Sequence, residues 1–301
     1  MSQAKALLGQ VSPETGKRYS TELILKAFGI PSSTFYDSLA IKEQKSHKKR
    51  GPKTEQSDDE IARMAREVLN ESPFSGEGHR KVRAMLGLRG VHVGKNRMLR
   101  IMRENNLLAP TRNCRKGTKK IHDGKITTST PNECWGGDIT EVMTQDDGKV
   151  YIFDLIDHCT SEVLAAYVTT VGNRFSAITS LHQAINSECG PVSKDVARGI
   201  TLRLDHGSQF TSKRYVNEAK HLGFNLSYSY VAQPQCNGVI ERWHRTLKEQ
   251  LLWTKSWKNL EEVQESVQAF VKTYNEHWML EKHGYLSPRG FKRSLADAIA
   301  A

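Results

Sequence analysis

The sequence predicts an α/β domain with a mixed sheet, preceded by all-α modules and followed by a helical C-terminal segment. From residue 132 onward, three apolar runs of strand length come first, and helical and strand patterns then alternate. Before residue 109 the apolar spacing is helical. Charge divides the chain near the same place: residues 1–131 carry 26 basic and 13 acidic side chains, and residues 132–301 carry 18 and 20. We expect the basic part to bind a polyanion such as nucleic acid, with a merely solubilising basic surface as the alternative.

The first 41 residues are predicted to form a helix-turn-helix. Gly29 supplies the turn, and Ser32 or Ser33 can cap the second helix. The apolar residues with helical spacing are Leu23, Ile24, Ala27 and Phe28 in the first helix and Phe35, Tyr36 and Leu39 in the second. A plain helical hairpin without DNA contact would show the same pattern. Residues 42–56 are polar and basic, and we interpret them as a linker that can also lie along phosphates.

Residues 57–109 are predicted to be a second helix-turn-helix DNA-binding domain with three helices. Ser57 or Asp58 caps the first helix, and the second and third cover residues 79–86 and 96–105. The third helix turns its apolar side chains inward: Met98, Ile101 and Met102. Arginines recur every three residues on its other side, and we expect them to face solvent and contact DNA: Arg97, Arg100 and Arg103. A solvated basic face is the competing interpretation.

Residues 110–131 form a second basic linker, in which Lys119 and Lys120 are candidate DNA contacts. The catalytic core is predicted to span residues 132–256, and a helical region with a helix at 259–277 spans residues 257–301. The predicted core elements are strands at 134–143, 150–156 and 163–171, a helix at 175–188, a strand at 200–204, a helix near 212–222, a strand at 225–231 and a long helix from about 237.

Three carboxylates in this core are the candidate catalytic and metal-binding residues. Asp138 lies in the middle of the first strand, where a charge is costly unless it is paired or bound to metal. Asp205 ends the fourth strand, and Glu241 lies in the first turn of a helix that Asn237 can cap. Three carboxylates from separate elements suit hard divalent cations such as Mg²⁺, and a pair of such ions can activate a hydroxyl to attack a phosphodiester.

The helix that begins near Glu241 also carries two candidate DNA contacts. Arg245 and Lys248 follow Glu241 by four and seven residues, so Lys248 lies about 10 Å along the same helical face. These cations would grip the phosphates of the strand being cut, although an ordinary solvent-facing helix with ion pairs would carry the same residues. Rival carboxylates are Asp154, Asp157, which we expect to order a turn, and Glu141, which strand alternation turns to the face opposite Asp138.

Cysteine usage and hydropathy exclude several classes of protein. The five cysteines are odd in number and contain no Cys-x-x-Cys pair, which argues against a disulfide framework and a zinc knuckle and fits a reducing cytoplasm. No run of 18 apolar residues occurs, so no membrane span is expected. We interpret Trp135 as packed under the sheet and His206 as a polar turn residue, with a proton relay as its alternative role.

The motifs around the carboxylates resemble those of the DDE transposase and retroviral integrase superfamily. The similarity rests on Trp135-x-x-Asp138-x-Thr140, on Asp205-His-Gly-Ser-Gln-Phe210, and on Pro234-Gln-x-Asn237-Gly238-x-x-Glu241 with Lys248. It is closest to bacterial transposases of the insertion-sequence-three family, specifically the product of the second reading frame. Upstream, Gly78-His-Arg80-Lys-Val and residues 96–107 resemble the helix-turn-helix of that family. Downstream, Tyr274-Asn275 and residues 283–288 resemble its C-terminal signature.

The resemblance implies an RNase H-like core in which Asp138, Asp205 and Glu241 bind two Mg²⁺ ions, with Mn²⁺ able to substitute. It implies cleavage at the ends of an element and transfer of the freed 3′-hydroxyl to another phosphodiester, first through a circular intermediate. Lys248 and Arg80 would contact DNA. The expected partners are double-stranded DNA, as terminal inverted repeats and target, a second copy of the chain or a larger assembly on that DNA, and the first reading-frame product. The expected location is the bacterial cytoplasm, on the nucleoid when DNA is bound, without membrane association.

Two other functions compete with a transposase. A catalytically inactive DNA-binding regulator of transposition would keep the helical modules, but the intact carboxylate triad with Lys248 argues against it. A nuclease that cuts without joining would share the core, but the end-recognition helices and the long C-terminal region disfavour it.

Overall fold

The computed structural model describes residues 2–39, 55–110, 128–228 and 237–300. Lys119, Lys120 and most of both predicted linkers lie outside the described residues, as do residues 229–236, which include the end of the predicted strand at 225–231 and the start of the third motif at Pro234. The chain forms two compact units, Met1–Glu55 and Gln56–Ala301.

The first unit contains three short helices: α1 (Ser2–Ala6), α2 (Thr21–Ala27) and α3 (Ser32–Leu39). Ser20 caps α2 by accepting a hydrogen bond from the backbone N–H of Leu23, and Gly29 makes the following turn with a φ of +62°. The predicted pair of helices is present. The expectation that Ser32 or Ser33 caps α3 is wrong, because Ser32 is already the first helical residue. The small core of this unit is Ala4, Ile24, Leu25 and Phe35.

The second unit begins with three helices in the predicted order: α4 (Asp58–Glu71), α5 (His79–Leu88) and α6 (Lys95–Glu104). Ser57 and Glu60 form a reciprocal capping box at the start of α4, which satisfies two backbone N–H groups that the helix cannot pair internally. Met98, Ile101 and Met102 are fully buried, as their spacing predicts. These helices share one hydrophobic core.

A five-stranded mixed sheet forms the centre of the second unit. Its elements in chain order are β1 (Cys134–Met143), β2 (Lys149–Asp157), β3 (Val163–Thr169), α7 (Arg174–Glu188), β4 (Thr201–Leu204), α8 (Ser208–Thr211), α9 (Lys213–His221), β5 (Asn225–Tyr228), α10 (Gly238–Leu247), α11 (Leu260–His277) and α12 (Pro288–Ala300). The strand order is β3-β2-β1-β4-β5, in which β2 is antiparallel to its neighbours while β4 and β5 run parallel to β1. This arrangement confirms the predicted α/β mixed sheet of the RNase H-like class.

Helices cover both faces of the sheet and divide its core in two. The first cluster packs α7 and α9 against one face and contains Trp135, which is buried as predicted. The second packs α10 and α11 against the other face, where Ile240 and Trp243 meet strand residues such as Ile152. Side chains alternate along a strand, so each strand residue belongs to one of these two faces. This division decides which polar residues can meet α10.

The predicted long helix from residue 237 is interrupted. The regular α-helix ends at Leu247, and a π-helical turn covers Lys248–Leu252. A short 3₁₀ turn at Glu281–His283 precedes α12, which begins at the predicted Ser287-Pro288 turn. Among the residues that the structure describes, no helix has the length and apolar composition to cross a membrane.

Candidate active site

The pairing of β1 with β4 brings two of the predicted carboxylates to neighbouring positions. Trp135 lies opposite Leu202 in this parallel pair. The pairing runs to Gly136 and Arg203, two residues before Asp138 and Asp205, and adjacent strands lie about 4.8 Å apart. Trp135 and Leu202 are buried on the α7 face. Asp138 and Asp205 are three residues further along, so they belong to the opposite face, which α10 covers.

Glu241 enters from the first turn of α10 on that same face. The helix is held there by the burial of Ile240, Trp243 and Leu247 against β2 and β3. Burial is the main cause that raises the pKa of both Asp205 and Glu241, and the negative charge of Asp138 raises both further. All three predicted carboxylates therefore share one electrostatic environment, although they come from β1, the end of β4 and α10.

Different groups oppose the raised pKa values of Asp205 and Glu241. Burial is the main reason for the raised pKa of Asp205, and the backbone N–H of Gly207, which donates to Asp205 Oδ1 at 2.9 Å, opposes it. Glu241 lies in an exposed position, yet nearby protein atoms remove enough water to raise its pKa, and the charge of Arg245 opposes this shift. Both carboxylates would be stabilised in their charged form by a cation placed between them and Asp138.

His244 connects the central carboxylate to a fourth one. Its Nδ1 lies 3.4 Å from Asp138 Oδ2, and its Nε2 lies 2.8 Å from Asp154 Oδ2. Burial works against protonation of this imidazole, but the two carboxylates outweigh burial and raise the pKa of His244 to about 9. The other oxygen of Asp138 accepts a hydrogen bond from the backbone N–H of Ile139 at 2.8 Å. Both oxygens of Asp138 therefore have a defined neighbour.

The start of α10 is joined to the sheet by a buried polar contact. Asn237 makes no side-chain capping bond, so the predicted cap is wrong. Its Oδ1 instead faces His158 Nε2 at 3.3 Å, and its Nδ2 points to the carbonyl of Gly137 at 3.5 Å. Gly136 makes this approach possible, because a Cβ there would lie 2.6 Å from His158 Nε2 and 2.8 Å from Asn237 Oδ1. Sequence reasoning gave His158 no role, and its position after β2 carries no local signal for one.

The three rival carboxylates lie in different surroundings, and only one of them lies at the candidate site. Asp157 orders the turn after β2, as predicted, by accepting hydrogen bonds from Thr160 N and Oγ1 at 3.1 and 2.8 Å. Glu141 is exposed and pairs with Lys149 at 3.0 Å. Asp154 is the rival that the structure brings to the site, because it lies opposite Asp138 in the β1–β2 register.

The donor chemistry of the site fits a divalent cation, although the side chains do not close around one. Within the described ranges, no three His, Cys, Asp or Glu side chains stand close enough together to hold a metal ion as they are placed. Neither Asp205 nor Glu241 forms an ion pair with a basic side chain in the described part of the chain. Three oxygen-donor carboxylates that share one environment are the ligand type that Mg²⁺ prefers.

The predicted arginine stripe on α6 is only partly exposed. Arg97 and Arg100 both pair with Asp58, at 2.8 and 2.6 Å, and Arg97 also donates to the carbonyl of Gln56. The side chain of Arg97 is only 22% exposed, because the start of α4 packs beside α6 and supplies an acidic partner, so the prediction that the stripe faces solvent is wrong for Arg97. The side chain of Arg100 pairs with the same aspartate but remains 43% exposed. Arg103 is exposed, as predicted.

The remaining predicted DNA contacts also differ in their surroundings. Arg80 pairs with both oxygens of Glu281 at 2.8 Å, so it joins the helical module to the C-terminal segment. Arg245 is exposed on α10, one turn from Glu241, whereas Lys248 is half-buried at the start of the π-helical turn. Arg245 and Lys248 therefore remain beside the candidate site, and Arg80 lies in a contact within the protein.

The chain is similar to several known proteins. Two family models described as integrase core domains match residues 128–234 and 222–288, and an HTH-like domain model matches residues 56–115. The chain is 25% identical to the transposase for insertion sequence element IS629 of Shigella sonnei, over 94% of this chain and 95% of that protein. It is 24% identical to the putative transposase InsK for insertion sequence element IS150 of Escherichia coli K12, over 93% and 95%. A solved chain of the simian T-cell lymphotropic virus intasome in complex with PP2A regulatory subunit B56 gamma aligns at 19% identity with a TM-score of 0.47, over 77% of this chain and 74% of that one.

Proposed function

We propose that this chain, a member of the superfamily of DDE transposases and integrases, is the transposase of a bacterial insertion sequence. It binds the ends of its element, cuts a DNA strand there and joins the freed end to another phosphodiester. The observation that supports this proposal is that the charge of Asp138 on β1 acts on both Asp205, after β4, and Glu241, on α10. The relatives of this chain that span nearly its whole length are transposases.

The three carboxylates would hold two Mg²⁺ ions, and Mn²⁺ can substitute because it accepts the same oxygen ligands. When bound, the ions supply charge neutralisation at the scissile phosphate and lower the pKa of the attacking hydroxyl. Asp138 supplies a central carboxylate from a rigid strand in the middle of the sheet. Asp205 and Glu241 flank it from the end of β4 and the start of α10, so the three oxygen donors approach from different directions.

The other task of the protein is to hold the DNA strand in line for attack. Arg245 and Lys248 follow Glu241 on α10 and its π-helical extension, where they can neutralise phosphates next to the cleavage point. Alignment of the nucleophile with the phosphate can supply several kcal/mol of the barrier reduction, so no covalent enzyme intermediate is needed. The proposed ligands of the helical module are the terminal inverted repeats, and Arg103 is its most accessible predicted contact.

The proposed reaction requires two DNA ends to be held together. A homodimer or larger assembly on the DNA would supply one active site for each end. The first reading-frame product is a further candidate partner in that assembly.

The decisive experiment compares strand cleavage and joining on a labelled duplex that carries the element's terminal repeat. Asp205→Asn and Glu241→Gln should each lower both activities by at least 100-fold, because each removes a charged ligand while keeping the shape of the side chain. Glu141→Gln is the matched control, since this exposed carboxylate lies on β1 but pairs with Lys149. Full activity in Asp205→Asn or Glu241→Gln, with folding checked by circular dichroism, would reject the proposal.

A second candidate function is a DNA-binding regulator without catalytic activity. The observation that favours it is that the described side chains do not close into a metal-binding group as placed. Metal-dependent nicking of terminal-repeat DNA separates the two candidates, because a regulator would bind this DNA without cutting it. A joined product, in addition to a nicked one, would further exclude a nuclease that only cuts.

A further inference from the structure

Asp154 is a buried carboxylate that the proposed reaction does not use. Its side chain has no exposed surface, whereas that of Asp138 is 28% exposed. Asp154 lies directly opposite Asp138 in the antiparallel pairing of β1 with β2. Directly opposed residues point to the same face of a sheet, so Asp154 lies beneath α10 beside the candidate site. A buried carboxylate is costly unless a specific partner stabilises it.

That partner is His244, which stands between the two aspartates. Its Nε2 is 2.8 Å from Asp154 Oδ2, within normal hydrogen-bond distance, and its Nδ1 is 3.4 Å from Asp138 Oδ2. Because Nε2 lies within hydrogen-bond distance of the buried carboxylate, Asp154 fixes the orientation of the ring, whose Nδ1 edge is directed at Asp138. The ring is itself buried, so few other orientations are open to it.

His244 also belongs to the helix that carries Glu241. The two residues are three positions apart, which puts them on neighbouring parts of one helical face. A bond from His244 to β2 therefore restrains the part of α10 that presents Glu241. The same ring meets Asp138 on β1. One imidazole thus links the elements that supply two of the three candidate metal ligands.

We propose that Asp154, acting through His244, is a positioning residue that holds the Asp138 carboxylate and the start of α10 in the geometry needed to bind the metal ions. This inference rests on the proposed function. Neither residue need contact DNA or metal. Asp154 supplies a fixed acceptor from the centre of the sheet, and His244 transmits that position to the site, in the way that carboxylate–histidine pairs orient ligands in metalloproteins.

The test measures metal binding directly as well as activity. Binding of Mn²⁺ to the full chain on terminal-repeat DNA is followed by electron paramagnetic resonance, and cleavage is measured as a function of Mg²⁺ concentration. Asp154→Ala should weaken Mn²⁺ binding and raise the Mg²⁺ concentration for half-maximal cleavage by about 10- to 100-fold. Affinity for the DNA without metal should stay within about twofold of that of the unmodified protein. Asp154→Asn, whose amide oxygen can still accept from His244 Nε2, should recover a large part of the loss.

Asp157→Asn is the matched control, because Asp157 is also a buried carboxylate of β2 but accepts hydrogen bonds from the turn at Cys159 and Thr160 and not from His244. It should lower the melting temperature without changing Mn²⁺ binding. Unchanged Mn²⁺ binding in folded Asp154→Ala, or an equal loss in Asp157→Asn, would overturn the inference. If Asp154→Ala does not fold, His244→Gln decides: normal Mn²⁺ binding in this variant would overturn the inference. An unmodified protein that shows no metal-dependent cleavage would instead reject the proposed function.

Discussion

Replacing His158 with glutamine should reduce the sensitivity of the fold to acid. His158 is buried, and its Nε2 faces Asn237 Oδ1 at 3.3 Å. Burial, helped by the charges of Arg203 and Lys282, lowers the pKa of His158 to about 4. An imidazole in an unfolded chain titrates near pH 6.5 (roughly its ordinary value). Between these two values the unfolded chain binds a proton that the folded chain excludes, so acid favours unfolding.

The sign and size follow from proton linkage. A depressed pKa in the folded state leaves stability complete above about pH 6.5 and removes it progressively as the pH falls toward about 4. Between pH 7.5 and pH 5 the loss from one such histidine is about 2 kcal/mol in the free energy of unfolding. His283, whose pKa burial also lowers to about 4, should add a similar loss in the unmodified protein.

The assay is urea denaturation followed by tryptophan fluorescence at several pH values between 7.5 and 5. His158→Gln should be less stable at pH 7.5 by about 1 kcal/mol, because its contact with Asn237 is altered. It should then lose about 2 kcal/mol less than the unmodified protein on transfer to pH 5. His92→Gln is the control, since His92 is exposed and should leave the acid-induced loss unchanged. An acid-induced loss in His158→Gln equal to that of the unmodified protein would refute the reasoning.

Two smaller changes test how α10 and α4 are built. Gly136→Ala should destabilise the fold by about 1–3 kcal/mol and reduce strand transfer, because the new Cβ would lie 2.6 Å from His158 Nε2. Gly87→Ala is the control: its new Cβ would have no atom within 4 Å, so thermal stability should stay equal or rise. A normal melting temperature for Gly136→Ala would contradict this. Ser57→Ala should lower the free energy of unfolding by about 1 kcal/mol, because it removes the capping box with Glu60. Thermal unfolding measures this loss, and metal-dependent cleavage should stay unchanged. An unaltered melting temperature would count against the cap.

The pattern of elements could be predicted from the sequence because it depends on local periodicity. Apolar residues that repeat with helical or strand spacing must be buried on one face, whatever the rest of the chain does. The inward side chains of α6 and the strand positions of Asp138 and Asp205 follow from this rule. Its limits appear where the chain ends a regular element, as at Leu247, because a change from α- to π-helical geometry carries no clear local signal.

The partners of the polar residues could not be predicted in the same way. Arg100 pairs with Asp58, 42 positions away, and Arg80 pairs with Glu281, 201 positions away, and no local pattern in either helix indicates these acidic partners. Asn237 has the residue type and place of a helix cap, yet its side chain contacts His158, in the turn after β2. Such contacts depend on which segments fold together.

The sequence by itself therefore determined the α/β class and the helical modules, because each depends on local periodicity. It also made three carboxylates candidates through their places at predicted strands and a helix start. Only the tertiary structure decided that Asp154 lies beneath the site and that His244 bridges it to Asp138. That outcome needs both the register of β1 with β2 and the docking of α10 on one face of the sheet. A one-residue shift of either strand would turn the aspartate to the other face, and no local pattern records the register.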